Sequence, residues 1–96
     1  MSTTSQFHRL SPLLILVHML KRTFKDKELV AKTLGKNLRN LRVKKALSQA
    51  KLAELADIDV SYVGFIENGT RNVTAFMTVR FARALNCKVS DLFKGL

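Results

Sequence analysis

The sequence predicts an all-α fold of five helices, preceded by an N-terminal extension. Apolar residues recur at spacings of three and four, as in Leu34, Leu38 and Leu41, which is the period of an amphipathic helix. The chain contains a single proline and few runs that alternate apolar with polar residues, so strands are poorly supported. With 96 residues, of which 47% are apolar, the chain has room for one small domain and its core.

The extension comprises residues 1–32, and the domain comprises residues 33–96. The first ten residues of the extension read as a polar tail. Ser11 and Pro12 then begin a helix, because serine is a favourable N-cap and proline fits the first helical position. The polar segment 21–28 is either a linker or a continuation of that helix.

The domain's own helices have recognisable starts. The first begins at Thr33, and a short fifth begins at Ser90. Each of the three helices between them follows a side chain that can accept hydrogen bonds from the free N–H groups of a first turn; these caps are Ser48, Asp59 and Thr74. Gly69 ends the third helix, since glycine tolerates the left-handed backbone found just past a helix end.

The second and third helices, about residues 49–68, have the pattern of a helix-turn-helix, with a short turn near Asp57 and Ile58. The buried side of the second helix is expected to hold Leu52, Ala53, Leu55 and Ala56, and the two alanines let the helices cross closely. The third helix buries Val63 and Ile66 and leaves an outward face that consists of Val60, Ser61, Gly64 and Phe65. Such a face fits the major groove of DNA, which admits one α-helix.

The charge of the chain indicates a polyanionic partner. The net charge is +10, and residues 1–47 hold 11 basic and 2 acidic side chains. A surplus of this size in a small protein favours binding to nucleic acid, an acidic membrane or an acidic protein over a merely solubilising surface.

Other classes of protein are poorly supported. Cys87 is the only cysteine, so the chain can form no internal disulfide, and a reducing cytosol is the expected setting. The longest apolar run, Leu13–Val17, is too short to span a bilayer, and no signal-peptide cleavage site follows it. His8 and His18 have no partners at metal-ligand spacing. No nucleophile, acid and base form a catalytic constellation. We therefore expect no enzyme activity, no metal and no cofactor.

The stretch LSQAKLAELADIDVSYVGFIENGTRNVTAFMTVRFARALNCKVSDLF, with LGKNLRNLRVKKA before it, resembles the Cro and phage-repressor type (XRE) helix-turn-helix family. The resemblance covers residues 34–93. It rests on SQ, LA, SY, IENG, RN and ALN at fixed offsets. Within the family, the sequence is similar to small controllers of restriction-modification operons and to phage-type repressors.

The resemblance implies a role for each matching position. Gln49 would hydrogen-bond a phosphate and brace the recognition helix, and Tyr62 would lie near the DNA backbone. Arg71 and Asn72 would bind phosphates of the DNA backbone. Arg42 and Glu67 would form a buried structural ion pair. Bases would be read by the outward residues Val60, Ser61, Gly64 and Phe65.

The sequence departs from the family at positions that matter for specificity. Many relatives have a long polar side chain where Val60 or Phe65 stands, so we expect thymine-methyl contacts and DNA shape to contribute to specificity here. Asp59 would face phosphates, and its role as a cap explains it better. Phe76 and Val79 are expected to be exposed and could form a subunit interface.

These observations predict a sequence-specific transcriptional regulator that binds double-stranded DNA. It would act as a homodimer on inverted repeats in a prokaryotic or phage setting, in the cytoplasm. One alternative is the antitoxin of a toxin–antitoxin pair, with a toxin as protein partner. The other is a membrane-surface or peptide-binding module driven by residues 11–28, although we expect no membrane partner.

Three interpretations of residues 1–32 remain open. An added helix could pack on the core or mediate dimerisation through Leu13, Leu16, Leu20 and Phe24. A basic amphipathic segment could instead touch membrane or DNA. Alternatively, Met19 is the natural start of the chain.

Overall fold

A computed structural model of the chain describes residues 11–96, and the predicted polar tail lies outside the described residues. The described part is entirely helical, with five helices and no strand, which confirms the predicted fold class. The helices are α1 (Pro12–Lys44), α2 (Gln49–Ala56), α3 (Val60–Glu67), α4 (Ala75–Leu85) and α5 (Val89–Leu92).

The first helix, α1, is continuous over 33 residues and crosses the predicted boundary between residues 32 and 33. The segment 21–28 is therefore a continuation of the helix and not a linker. Neither proline nor glycine interrupts the chain between Pro12 and Gly35, and an exposed Glu28–Lys32 ion pair of 2.8 Å spans one turn. The helix begins as predicted, with the Ser11 hydroxyl accepting a hydrogen bond from the Leu14 N–H at 3.2 Å.

The hydrophobic core lies between the C-terminal half of α1 and the four shorter helices. Its largest fully buried side chains are Phe81, Leu34, Leu38, Leu52, Ile66, Leu85, Leu92 and Val63. The Asn37 amide donates hydrogen bonds to the carbonyls of Leu92 and Lys94, at 2.8 and 2.9 Å, and so ties the end of the chain to α1. Each of the five helices therefore contributes to one core.

Two details of the helices differ from expectation. Leu55 was expected on the buried side of α2, but it is 49% exposed. It lies roughly 100° around the helix from the centre of the face that Leu52, Ala53 and Ala56 bury. The fifth helix begins at Val89, one residue earlier than predicted, because the Asp91 carboxylate accepts a hydrogen bond from the Lys88 backbone N–H at 3.0 Å.

The N-terminal half of α1 extends beyond the core. Ala31 is the first buried residue of this helix, and the described chain measures 54 × 23 × 19 Å. Among residues 11–96, no helix is both long enough and apolar enough to cross a membrane.

Candidate DNA interface

The α2–α3 pair forms the predicted helix-turn-helix. Ala53 and Ala56 are each only 3% exposed and belong to the core. The turn is closed by Asp57, which adopts a left-handed backbone with φ 56° and ψ 52°. The N–H of Ile58 donates to the Ala53 carbonyl at 3.0 Å, which satisfies a free group at the end of α2. The turn thus lies where the sequence placed it.

A close backbone contact fixes the C-terminal end of α3 against α1. Gly35 of α1 lies directly beside the carbonyl groups of Ile66 and Glu67, and a Cβ at this position would overlap the Ile66 oxygen. Val63 and Ile66 are fully buried beneath α3. One side of α3 is therefore fixed by its contacts with α1 and the core, while its opposite side remains exposed.

A buried ion pair fixes the same end of α3. Arg42 donates from Nε to Glu67 Oε2 at 2.7 Å and from Nη2 to Glu67 Oε1 at 2.9 Å, a bidentate geometry. The two side chains are 12% and 1% exposed. The hydrogen bond to Glu67 raises the pKa of Arg42 above its usual range. The pair that the resemblance implied thus joins α1 to α3.

Gln49 belongs to this cluster. Its amide Nε2 donates to Glu67 Oε1 at 3.1 Å, so the first residue of α2 braces the last residue of α3. This is one of the two roles that the resemblance implied for Gln49. One amide hydrogen remains for a second acceptor.

The outward face of α3 is open. Val60 and Phe65 are 46% and 44% exposed, Ser61 is exposed, and nothing lies within 4 Å of a Cβ built on Gly64. Tyr62 differs from these four, since its side chain is partly buried and packs against the core. The exposed face of α3 is therefore apolar at Val60 and Phe65, and between them Gly64 contributes no side chain.

The start of α3 is capped by Asp59. Its Oδ1 accepts the Ser61 hydroxyl at 2.6 Å and the Ser61 backbone N–H at 2.8 Å. These two bonds, the hydroxyl's first, hold the pKa of the Asp59 carboxyl below its ordinary value. Because the hydroxyl proton of Ser61 is already donated, its oxygen is left to act as a hydrogen-bond acceptor.

The loop after α3 separates the two residues expected to grip phosphates. The guanidinium carbon of Arg71 lies 4.8 Å from the centroid of the Phe65 ring, so Arg71 is stacked beside the outward face of α3. The Asn72 amide instead donates to the Lys27 carbonyl of α1 at 3.3 Å. Both residues are exposed.

Comparison with known proteins decides the family. Residues 38–92, more than half of the chain, match the helix-turn-helix family. The chain belongs to this family, in its XRE-type branch.

Several relatives of this helix-turn-helix protein are regulators. It is 36% identical over 63 residues to the control protein C.SmaI of Serratia marcescens, across 66% of this chain and 75% of the relative. The restriction-modification controller protein C.AhdI from Aeromonas hydrophila has a similar crystal structure, with a TM-score of 0.64 and 43% identity over 66% of this chain and 96% of that one. The clp gene regulator ClgR from Corynebacterium glutamicum gives a TM-score of 0.65 at 26% identity, across 67% of this chain and 68% of that one. DNA-binding regulation of transcription is the function that these likenesses support.

The structure adds one residue to the candidate interface of this helix-turn-helix protein, Asn68, which the sequence analysis used only as part of a helix stop. Asn68 follows Ser61 and Phe65 at spacings of seven and three, and it is exposed. Its backbone is still right-handed, with φ −79° and ψ −4°, so it continues the same face. The helical spacing was the signal that could have identified it.

Other singled-out residues lie away from this face. Cys87 is partly buried beside the core, and burial raises the pKa of its thiol. His18 is exposed on α1. Within residues 11–96, no three His, Cys, Asp or Glu side chains come together as a metal site.

Proposed function

We propose that this helix-turn-helix protein is a sequence-specific regulator that lays α3 in the major groove of double-stranded DNA. The observation that carries the proposal is the open face of α3, which Gly35 and the Arg42–Glu67 pair hold from the opposite side. A helix of eight residues is about 12 Å long, which suits contact with a few base pairs. The protein would act in a prokaryotic cytoplasm, without enzymatic activity of its own.

Affinity would come mainly from phosphates. Arg71 is the strongest candidate, because stacking on Phe65 limits its freedom before DNA arrives. Asn72 and the remaining amide hydrogen of Gln49 would add neutral hydrogen bonds, with Tyr62 beside them. The net charge of +10 supplies a sequence-independent attraction that salt weakens.

Specificity would come from a small set of base contacts. Val60 and Phe65 would touch thymine methyl groups, and Gly64 would let the backbone come close to the base edges. The Ser61 oxygen would accept a hydrogen bond from an adenine or cytosine amino group, since its own proton is held by Asp59. The Asn68 amide has the chemistry to bind adenine through both of its polar atoms.

A homodimer on an inverted repeat follows from these short contacts, because one helix reads too few bases to select a site alone. Two copies related by a two-fold axis would address half-sites separated by one DNA turn of about 34 Å or by a multiple of it. Exposed apolar side chains are available for self-association on α4, where Phe76 and Val79 are 65% and 39% exposed, and on the N-terminal half of α1. The likeness to C.SmaI and C.AhdI makes a restriction-modification operon the first place to look for the regulated promoter.

Selection from randomised DNA duplexes, followed by titration at several salt concentrations, tests this proposal. We expect an enriched inverted repeat and a complex that weakens steeply as salt rises. Arg71→Ala should weaken binding to every sequence similarly and reduce the slope of log affinity against log salt by about one unit. Arg83→Ala, which removes an exposed positive charge from α4, is the matched control and should leave the slope close to that of the unmodified chain.

Binding that ignores sequence at every salt concentration would reject the regulator. Equal slopes for the Arg71→Ala and Arg83→Ala variants would remove Arg71 from the phosphate contacts.

A further inference from the structure

A stripe of apolar side chains runs along the part of α1 that leaves the core. Leu13, Val17, Leu20 and Phe24 follow one another at spacings of four, three and four, and they are 70%, 38%, 48% and 66% exposed. We call these four residues the α1 seam. The same heptad spacing continues through Ala31, Leu34 and Leu38, which the core buries. One stripe is thus covered by the core at its C-terminal end and open at its N-terminal end.

The open end of this helix needs a partner. Within residues 11–96, its first hydrogen bond to another element is the one from Asn72 to the Lys27 carbonyl. Before that point, the hydrogen bonds of the described helix run only within it and to its cap Ser11, and helices of about 15 residues are marginal in water. Leu14, Leu16 and Met19 are exposed as well, at 48%, 51% and 61%. A helix this apolar is stable when another surface covers it.

We propose that the α1 seam pairs with the α1 seam of a second copy of this chain, with the two helices antiparallel. The spacing of four, three and four reads the same in both directions, so a two-fold axis between residues 18 and 19 superimposes the seam on itself. Leu13 then faces Phe24 of the second copy, and Val17 faces Leu20 of the second copy. Side chains of this kind interdigitate as in a two-stranded coiled coil.

Charge favours the antiparallel arrangement over the parallel one. Lys21, Arg22 and Lys25 follow the apolar turns of α1. Of these, Lys21 flanks the α1 seam, and in a parallel pair the two copies of Lys21 would lie at the same level of the seam. In the antiparallel pair Lys21 lies level with Leu16 of the second copy, within the uncharged stretch 12–16. Like charges are therefore kept apart.

The position of the core also favours the antiparallel arrangement. Beyond Ala31, the stripe is covered by the chain's own core. Two parallel chains would place both cores in one space beside the seam, whereas two antiparallel chains place them at opposite ends. Covering the seam together with Leu14 and Leu16 would bury on the order of 600 Å² per copy, which is at the lower limit of specific interfaces. We therefore expect a dimer that dissociates measurably on dilution.

This inference deepens the proposed function by naming the surface that joins its two copies. The interface can be tested without DNA, so its failure and the failure of DNA recognition are distinguishable. A chain that dimerises through the α1 seam but shows no preference among DNA sequences would contradict only the proposed function.

Sedimentation of the full chain over a range of concentrations tests the interface. We expect a monomer–dimer equilibrium for the unmodified chain and at least a 50-fold weaker dimer for the Val17→Glu/Leu20→Glu variant. The matched control is Met19→Glu/Leu29→Glu, which places two acidic groups on the opposite side of the same helix, at positions 61% and 56% exposed. The control should dimerise like the unmodified chain. Thermal unfolding of both variants establishes that the core, which contains none of these residues, remains folded.

A distance measurement tests the direction of pairing. In a Cys87→Ser background, a nitroxide label attached through Glu28→Cys should give an axial separation of about 30 Å between copies in the antiparallel dimer, from a rise of about 1.5 Å per residue. A distance under about 20 Å would indicate parallel helices and overturn the proposed arrangement. A chain that stays monomeric at 100 times the protein concentration used for DNA titration would overturn the interface itself. So would a dimer that persists in Val17→Glu/Leu20→Glu and dissociates in Phe76→Glu, since the contact would then lie on α4.

Discussion

At the scale of single residues, Glu67 connects the site to the rest of the fold. Its carboxylate receives two hydrogen bonds from Arg42 and one from Gln49, and its side chain is 1% exposed. The last residue of α3 is therefore tied to both α1 and α2. Loss of one partner would leave a buried charge without compensation.

Arg42→Ala should lower the free energy of unfolding by about 3 kcal/mol, because it leaves the Glu67 carboxylate buried and unpaired. The double variant Arg42→Met/Glu67→Leu should lose less than this, since it removes both charges together. Urea denaturation measures both values. A loss under about 1 kcal/mol for Arg42→Ala would mean that the pair adds little to the stability of the fold.

The Asp59 cap predicts that the start of α3 loses protection at acidic pH. Its pKa is lower in the folded chain than the ordinary 3.8, so its bonds to Ser61 stabilise the fold above that pH and are lost as the pH falls through the folded pKa. Hydrogen exchange at the Ser61 amide should therefore show less protection below the folded pKa than above it, once the intrinsic pH dependence is removed.

Asp59→Asn is the control for this effect, because asparagine caps a helix without titrating. Its protection at Ser61 should not change over the same range of pH. If the variant shows the same loss in acid as the unmodified chain, another group is responsible.

The sequence predicted residue roles where they depend on local geometry. Ser48, Asp59 and Thr74 accept the first-turn hydrogen bonds expected of them. The bond from Ser61 to Asp59 and the stacking of Arg71 on Phe65 were not predicted. Each depends on the rotamer chosen once α3 and its loop are in place, and residue types alone do not determine that choice.

At the scale of the helices, Gly35 controls how closely α1 and α3 approach. Gly35→Ala should destabilise the fold by about 1–3 kcal/mol, because the new methyl group would overlap the Ile66 carbonyl and push the helices apart. Gly64→Ala is the matched control, since its Cβ would meet open space within a helix. It should raise the free energy of unfolding by up to about 1 kcal/mol. Equal effects of the two substitutions in urea would contradict the close crossing.

The ends of the helices were easier to predict from the sequence than the continuity of α1. The caps and Gly69 fixed where α2, α3 and α4 begin or end, because these signals are local. The continuity of α1 was left open, since seven of the eight residues in segment 21–28 are polar and such a segment can be helical or unstructured alone. Leu55 was misplaced because α2 has eight residues and buries only the side that faces its neighbours.

At the scale of the whole molecule, charge and shape divide the chain into two parts. The N-terminal 47 residues carry most of the net charge of +10, and the helix-turn-helix lies after them. The family match over residues 38–92 covers the second part and leaves the exposed half of α1 outside it. Sequence patterns predicted the open face of α3, whereas the surfaces that join two copies depend on a second molecule that the sequence of one chain does not describe.

The most direct test of the account is the preference for DNA sequence after removal of one exposed aromatic ring. The chain offers a matched pair: Phe65 and Phe76 are both exposed, and each ring lies 4.8 Å from the guanidinium carbon of an arginine. Selection from randomised duplexes with Phe65→Ala should enrich a different set of half-site bases from the unmodified chain, because Phe65 lies on the open face of α3. Phe76→Ala should enrich the same bases as the unmodified chain, even if its overall affinity falls. Unchanged preference for Phe65→Ala together with altered preference for Phe76→Ala would contradict the assignment of α3 as the reading helix.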